Sequence, residues 1–434
     1  MKEKVYILTL GCPKNEADMD ILKGIFLKKG YLLTNNPEEA DYSIVDTCGF
    51  IEPAKKESIN EIFNIVSLKE KNPDMKIIPI GCLIERYYDE LKKELTEVDG
   101  LIGVVPPEKI VESIENGNFY LKLPKPYDVY KCDYRRIPDT PYAYIKIADG
   151  CNRKCAFCSI PYFKGEPVSR DIKDIKKEAE FLIKNGIKEI ILVSQDNTLY
   201  GIDLYKKQAL PDLLKDLNSI EGDFWIRVMY LHPDFINNEI IESINTLDKV
   251  IPYFDIPIQH GSDKILKLMG RIKKSDELKN LIFRIRNNPE AIIRTTLIAG
   301  FPGETDDDFE KLLSFIDEIE FDKLGAFMYF DEEGTPSHLL PEKIDEKTKE
   351  KRFEKLMELQ KEISTEKLER FIGKQLKVLI EEKENNVYIG RAYLDAPEID
   401  GNVFFKSERN LNIGDFVVVK ILNSSEYDLE GVAI

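Results

Sequence analysis

The run Tyr142-Ala-Tyr-Ile-Lys-Ile147 leads through Ala148-Asp-Gly150 into Cys151-Asn-Arg-Lys-Cys155-Ala-Phe-Cys158. The first part is a short, largely apolar run of β-formers and predicts a strand. The second places three thiols within eight residues on the loop that leaves it. Downstream, strand-like runs recur at 189–193, 224–229, 253–258, 292–299 and 324–329. Helix-like segments at 172–185, 210–219, 237–246, 276–287 and 307–318 separate them. Six strands each feeding a helix predict an open six-unit (β/α) barrel over residues 141–344, with its chemistry on the loops at the strands' C-terminal ends. The thiols sit on the first of those loops.

Cys151, Cys155 and Cys158 have CxxxCxxC spacing, so all three can close on one metal centre. A structural zinc site would want a fourth Cys or His nearby, and none follows within thirty residues. Cuboidal 4Fe–4S clusters are usually held by four Cys thiolates. Three leave one iron open, and an open metal position is a binding position.

Outward from this core the pattern changes twice. Residues 1–119 alternate strand-like runs (5–10, 42–46, 76–80, 100–104) with amphipathic stretches (from Asn15 or Ala17, 57–68, 87–95, 107–116), which predicts a parallel α/β sheet. Residues 120–140 are rich in Pro, Tyr, Lys and Arg without a period and predict a linker. Residues 345–371 form a charged connecting helix. Residues 372–434 show five short runs with turn signals (375–381, 387–392, 401–405, 415–422, 429–432), which predicts a small antiparallel β-barrel of OB type.

The 434 residues carry 62 Lys+Arg against 79 Asp+Glu, a net charge of −17, and 43% are hydrophobic. Such a chain buries cores of its own and is neither disordered nor of low complexity. No apolar run has the roughly 18 residues of a membrane span, and the start is too short for a signal peptide. The chain is not a short, cysteine-dense secreted scaffold, so the expected compartment is a reducing cytoplasm. The acidic balance disfavours a general nucleic-acid binder and suits a basic protein partner.

Seven cysteines then need a reason. Cys12, Cys48 and Cys82 each fall just past the C-terminal end of a predicted strand, and in a parallel sheet those ends share the edge where ligands bind. Singly, each reads as a small buried hydrophobe; their shared placement favours a second open metal site. Cys132, in the linker, has no partner at ligand spacing and reads as structural or incidental.

The three-Cys motif on a six-unit β/α domain resembles the radical S-adenosylmethionine superfamily. The combination with Leu10-Gly-Cys-Pro-Lys-Asn-Glu-Ala-Asp18, Asp46-Thr-Cys-Gly-Phe-Ile51 and Gly81-Cys82 resembles its methylthiotransferase family, and the likeness covers essentially the whole chain. Further matching stretches are Cys158-Ser-Ile-Pro161, Met229-Tyr-Leu-His-Pro-Asp234, Asp255-Ile-Pro-Ile-Gln-His-Gly-Ser262 and Glu332-Glu-Gly-Thr-Pro336. The resemblance implies an N-terminal cluster domain, a radical S-adenosylmethionine core and a C-terminal TRAM barrel. It implies two 4Fe–4S clusters, on Cys12, Cys48 and Cys82 and on Cys151, Cys155 and Cys158, with S-adenosylmethionine as cofactor. Phe157 is similar to the position near the adenine, and Gly300 and Glu304, in Ile298-Ala-Gly-Phe-Pro-Gly-Glu304, resemble the glycine-containing strand end near the cofactor. That loop also reads as a tight strand-to-helix turn. Gln259, Arg294 and Tyr329 are placed at the barrel mouth by position alone, and Gln259 is taken as cofactor-binding.

Three branches of that family compete. Two modify adenosine in tRNA; the third modifies an aspartate of a small-subunit ribosomal protein, the twelfth. Cys-Pro-Lys-Asn at 12–15 resembles the third branch, where the bacterial tRNA enzyme usually has Gln-Met-Asn after that Cys; Asp395-Ala-Pro-Glu-Ile-Asp-Gly401 resembles it too. Residues 371–434 hold seven Lys and Arg against eleven Asp and Glu, a poor composition for gripping phosphates and a good one for a basic ribosomal protein. The implied reaction is methylthiolation of the aspartate β-carbon. Its C–H bond is neither acidic nor electrophilic, so acid–base or nucleophilic side chains would not suffice. One cluster would generate the radical and the other present sulfur, with a second S-adenosylmethionine giving the methyl group. An electron donor and a sulfur source are further expected partners. A tRNA methylthiotransferase and a non-catalytic iron–sulfur redox sensor are the alternatives. His232 and His260 read as hydrogen-bonded scaffold and His338 as surface.

Overall fold

The computed structural model of the protein describes residues 2–125 and 135–434. Cys132 and the middle of the predicted linker lie outside the described residues. The N-terminal region is a six-stranded, all-parallel sheet. Its strands run in the order Leu32–Leu33, Lys4–Thr9, Tyr42–Thr47, Lys76–Gly81, Leu101–Ile102, Tyr120–Leu121. Successive strand residues point to opposite faces. Ile44 and Ile78 therefore join Val5, Leu22 and Phe26 on one side, under helices Pro13–Lys29 and Pro107–Glu115. Val45 and Ile77 join Ile62 and Ile65 on the other, under helix Glu52–Ser67. Burial on both faces explains the continuous β-branched runs. The helix expected over 87–95 is present as Tyr88–Glu94, and a further short helix, Cys82–Arg86, precedes it, the two separated at Tyr87.

The central region has the six expected parallel strands, Tyr142–Lys146, Glu189–Val193, Trp225–Val228, Tyr253–Asp255, Ile292–Ala299 and Lys323–Met328. They form two three-stranded sheets joined by a parallel bridge between Ile226 and Val250. Helices Ile172–Lys184, Leu210–Asn218, Asn238–Thr246, Ser275–Ile285 and Asp306–Ile319 lay apolar stripes on one face. Helix Glu346–Glu369 crosses to the last domain, a closed five-stranded barrel. That barrel is not wholly antiparallel: Val403–Lys406 pairs in parallel with Leu429–Ala433, the seam that closes it.

The terminal barrel docks against the N-terminal ends of the central strands. One polar side chain from each of the six strands meets residues 391–400. Tyr142 donates to Glu398 (2.9 Å), Tyr253 to Asp400 (2.6 Å) and Lys323 to Asp395 (2.6 Å). Arg227 donates to the Asp395 carbonyl (2.7 Å), Glu189 accepts from Arg391 (2.7 Å), and Arg294 lies 3.7 Å from Asp400. Glu381 is also drawn inward, onto Arg391 (2.8 Å). Several of the eleven acids in residues 371–434 are therefore used inside the molecule.

Candidate active site

The strands' opposite, C-terminal ends carry the thiols. Cys12 caps helix Pro13–Lys29, Cys48 follows Tyr42–Thr47, and Cys82 opens helix Cys82–Arg86. They come together because their loops pack without side chains between them. A Cβ on Gly49 would lie 2.8 Å from the Cys82 carbonyl, and Gly81 has φ +95° with Asp46 against it. The three thiols are close enough for a thiolate on one to raise the others, although burial is the larger cause. It pushes Cys48 up to about 11 and Cys82 higher still. Lys14 and Lys164 lie close enough to oppose that rise.

Cys151, Cys155 and Cys158 line a 570 Å³ hollow with Arg153, Lys154 and Tyr162. Burial pushes Cys151 and Cys158 up to about 12. Arg271 donates to Cys155 Sγ (3.6 Å) and to the Pro257 carbonyl (2.9 Å), and bonds His232 on its other side. Burial, with Arg271 beside it, holds His232 down to about 2, so this imidazole is neutral.

All six thiols are free of disulfides. Among the described residues no group of His, Cys, Asp or Glu is drawn together as a single metal ion would need. A cuboidal cluster instead holds its ligands on separate irons. Two sets of three soft sulfur donors, each with a cation beside it to offset thiolate charge, fit such clusters. The pKa increases describe bare thiols, and a coordinated metal reverses them.

Arg86 joins the two triads. From the Cys82 helix it donates to the Gly49 carbonyl (2.9 Å), Ser159 Oγ (3.3 Å), Glu332 (2.9 Å) and the Glu333 carbonyl (2.9 Å). Lys55 adds a second N-terminal cation to Glu332 (3.0 Å), which is 2% exposed. Beside this junction lies an apolar cleft of 240 Å³, walled by Phe50 and Ile51 from one domain and Phe157, Ile298, Phe327 and Tyr329 from the other.

Gln259 lines the same cleft, with φ +79°, so the structure groups it with Phe157 and Tyr329. Gly300 and Glu304 do not line it. Glu304 is turned inward, accepting from the Gly300 amide (3.0 Å) and Arg352 (2.7 Å) and meeting His260 (3.1 Å). Their loop is thus a tight turn held by its own side chains. Arg294 is paired with Asp255 (2.9 Å) and points to the terminal barrel as well, while His338 is exposed. Arg86, Arg271 and Phe50 were not foreseen. Only their nearness in sequence to a Cys, or to the Asp255–Ser262 stretch, could have flagged them.

This architecture defines a class. The radical SAM superfamily model matches residues 145–316, the uncharacterized protein family UPF0004 residues 4–103, and the TRAM domain residues 372–434. Among solved structures, the radical S-adenosylmethionine methyltransferase TsrM from Kitasatospora setae aligns with TM-score 0.58 at 13% identity, covering 78% of this chain and 77% of its own. The cobalamin-dependent radical enzyme OxsB aligns at 0.53 and 14%, covering 84% and 56%. At such identities these show the fold, that of a radical SAM enzyme.

Within the class the placement is narrower. The chain is 59% identical over 431 residues to ribosomal protein uS12 methylthiotransferase RimO of Petrotoga mobilis, covering 99% of both, and 54% identical to that of Thermotoga maritima, covering 99% and 100%. It belongs to the ribosomal protein uS12 methylthiotransferase family.

Proposed function

We propose that the protein methylthiolates the β-carbon of an aspartate in ribosomal protein uS12. In this reading Cys151, Cys155 and Cys158 hold one 4Fe–4S cluster, Cys12, Cys48 and Cys82 hold a second, and S-adenosylmethionine binds against Phe157 and Gln259. When bound, these groups supply the radical, the sulfur and the methyl group that no side chain can provide. The observation that carries the reading is Arg86, one guanidinium tying the Cys48 loop to the Cys158 loop, as transfer of sulfur to a carbon radical demands.

The chain's own residues have the remaining tasks. Phe50, Ile51, Phe157 and Ile298 exclude water from the cleft, which protects a reactive carbon. The Lys55–Glu332–Arg86 bridge fixes the N-terminal sheet on the barrel mouth. His232, neutral and bonded to Arg271, orients that guanidinium toward Cys155. The electron donor and sulfur source act from outside these residues. No helix among the described residues is long and apolar enough to cross a membrane, and we place the reaction in the cytoplasm.

The test is mass spectrometry of uS12 after anaerobic turnover. A methylthio group on aspartate is expected, with tRNA unchanged in a parallel reaction. A modified adenosine and unmodified uS12 would reverse the assignment. Failure to consume S-adenosylmethionine under reducing conditions would instead favour a redox sensor.

A further inference from the structure

Most cations around the two triads have partners; among the described residues the exposed Lys154 has none, and Lys14 is set apart by lacking one while partly buried. Lys146 and Lys164 pair with Asp149 (3.2 and 3.1 Å), Arg153 with Asp196 (2.7 Å), Arg294 with Asp255 (2.9 Å) and Arg86 with Glu332 (2.9 Å). Arg271 has no carboxylate, but Cys155 and the Pro257 carbonyl accept from it. Lys14, two residues beyond Cys12, has neither an ion-pair carboxylate nor a hydrogen-bond acceptor among the described residues. Its ammonium instead lies 3.9 Å from the centroid of the Tyr230 ring.

That ring is held in place. Tyr230 leaves the strand Trp225–Val228 with φ +55°, a conformation non-glycine residues seldom adopt. Its amide donates to Asp255 (3.0 Å), which Arg294 holds from the other side. A partly buried ammonium spanning from the N-terminal helix to the barrel's strand ends, with an aromatic face, the Cys12 sulfur nearby and Asp149 beyond ion-pair reach, but no directly bonded acceptor, stands to gain from an incoming anion.

We propose that Lys14 binds the side-chain carboxylate of the target aspartate and thereby selects an acidic residue. This rests on the function proposed above. The carboxylate is bonded directly to the β-carbon, so gripping it two residues from Cys12 would hold that carbon beside the sulfur-presenting triad. Neutral asparagine, of nearly the same shape, would lack the charge.

The experiment compares uS12 with uS12 whose target aspartate is replaced by asparagine. Wild type, Lys14→Met and Lys14→Arg are each assayed for kcat/KM, and for affinity of the metal-free protein by calorimetry. Wild type should favour the aspartate form by about 100-fold, as expected for a charged hydrogen bond out of water. Lys14→Met should shrink that preference to a few-fold, and Lys14→Arg should keep most of it. A Met variant that loses turnover equally on both forms, with the preference intact, overturns the proposal. So does an Arg variant that loses the wild-type preference for aspartate, a comparison that stands even if the Met variant fails to fold. If wild type leaves uS12 unmodified, the function proposed above fails, and this inference with it.

Discussion

The two thiol triads reach the same junction by opposite routes. Cys151, Cys155 and Cys158 come from one loop of eight residues, so local chain geometry alone brings them together. Cys12, Cys48 and Cys82 are spread over seventy residues and meet only because three parallel strands lie side by side. The first triad is a motif and the second a product of tertiary structure. A local triad tolerates distortion of its domain; an assembled one depends on every contact that holds its sheet edge together.

The sharpest break of this comparison is at the ligands. Cys155→Ala should abolish cleavage of S-adenosylmethionine while sparing the N-terminal iron, and Cys82→Ala should retain cleavage and lose thiolation, with product down at least about 1,000-fold. Wild type should carry about eight irons after anaerobic reconstitution, and each variant about half. Equal iron loss from both sites in either variant would remove the distinction.

A subtler break leaves every ligand in place. Gly49→Ala drives a methyl group into the Cys82 backbone, so it should empty the assembled triad and leave the local one loaded. Iron content near four per chain, with cleavage preserved, would confirm the asymmetry. Arg86→Met should lower the ratio of methylthiolated product to S-adenosylmethionine cleaved by about 10-fold, because a broken buried charge pair lets the loops drift. An unaltered ratio would deny Arg86 its positioning role.

The smallest effect concerns Glu16, on the helix that Cys12 caps. Burial, then Glu398 and Asp20 nearby, raises its carboxyl to about 7, while Lys23 opposes the rise. The folded state thus favours the proton. Stability from this group is full below the ordinary value of 4.5 and is lost as pH climbs toward 7. Glu16→Gln should remove that slope. Because Glu16 is partly exposed, the gain at pH 8 should be about 1 kcal/mol, read from urea unfolding of the metal-free protein. A variant with the wild-type slope between pH 5 and 8 would contradict it.

The same contrast explains what the sequence could show. Periodicity located the six central strands within a few residues, since each is bounded by Gly, Pro or polar turns, and the local triad needed only spacing. The assembled triad was legible through its shared position after strands. Arg86 was not: four residues past Cys82 on an exposed-looking charged stretch, it gains its bridging position only through Glu332, nearly 250 residues away. The acidic tail misled in part, because Glu381, Asp395 and Asp400 face Arg391, Lys323 and Tyr253 rather than solvent. Charge counted along a chain cannot tell which acids folding has already paired.

The docking of residues 391–400 against all six central strands has a consequence for traffic. Among the described residues it covers the strands' N-terminal ends, away from the thiols, and leaves the approach to both triads at the opposite ends. An approach from that side would suit a folded protein offering the tip of a loop, presented briefly and withdrawn the way it came.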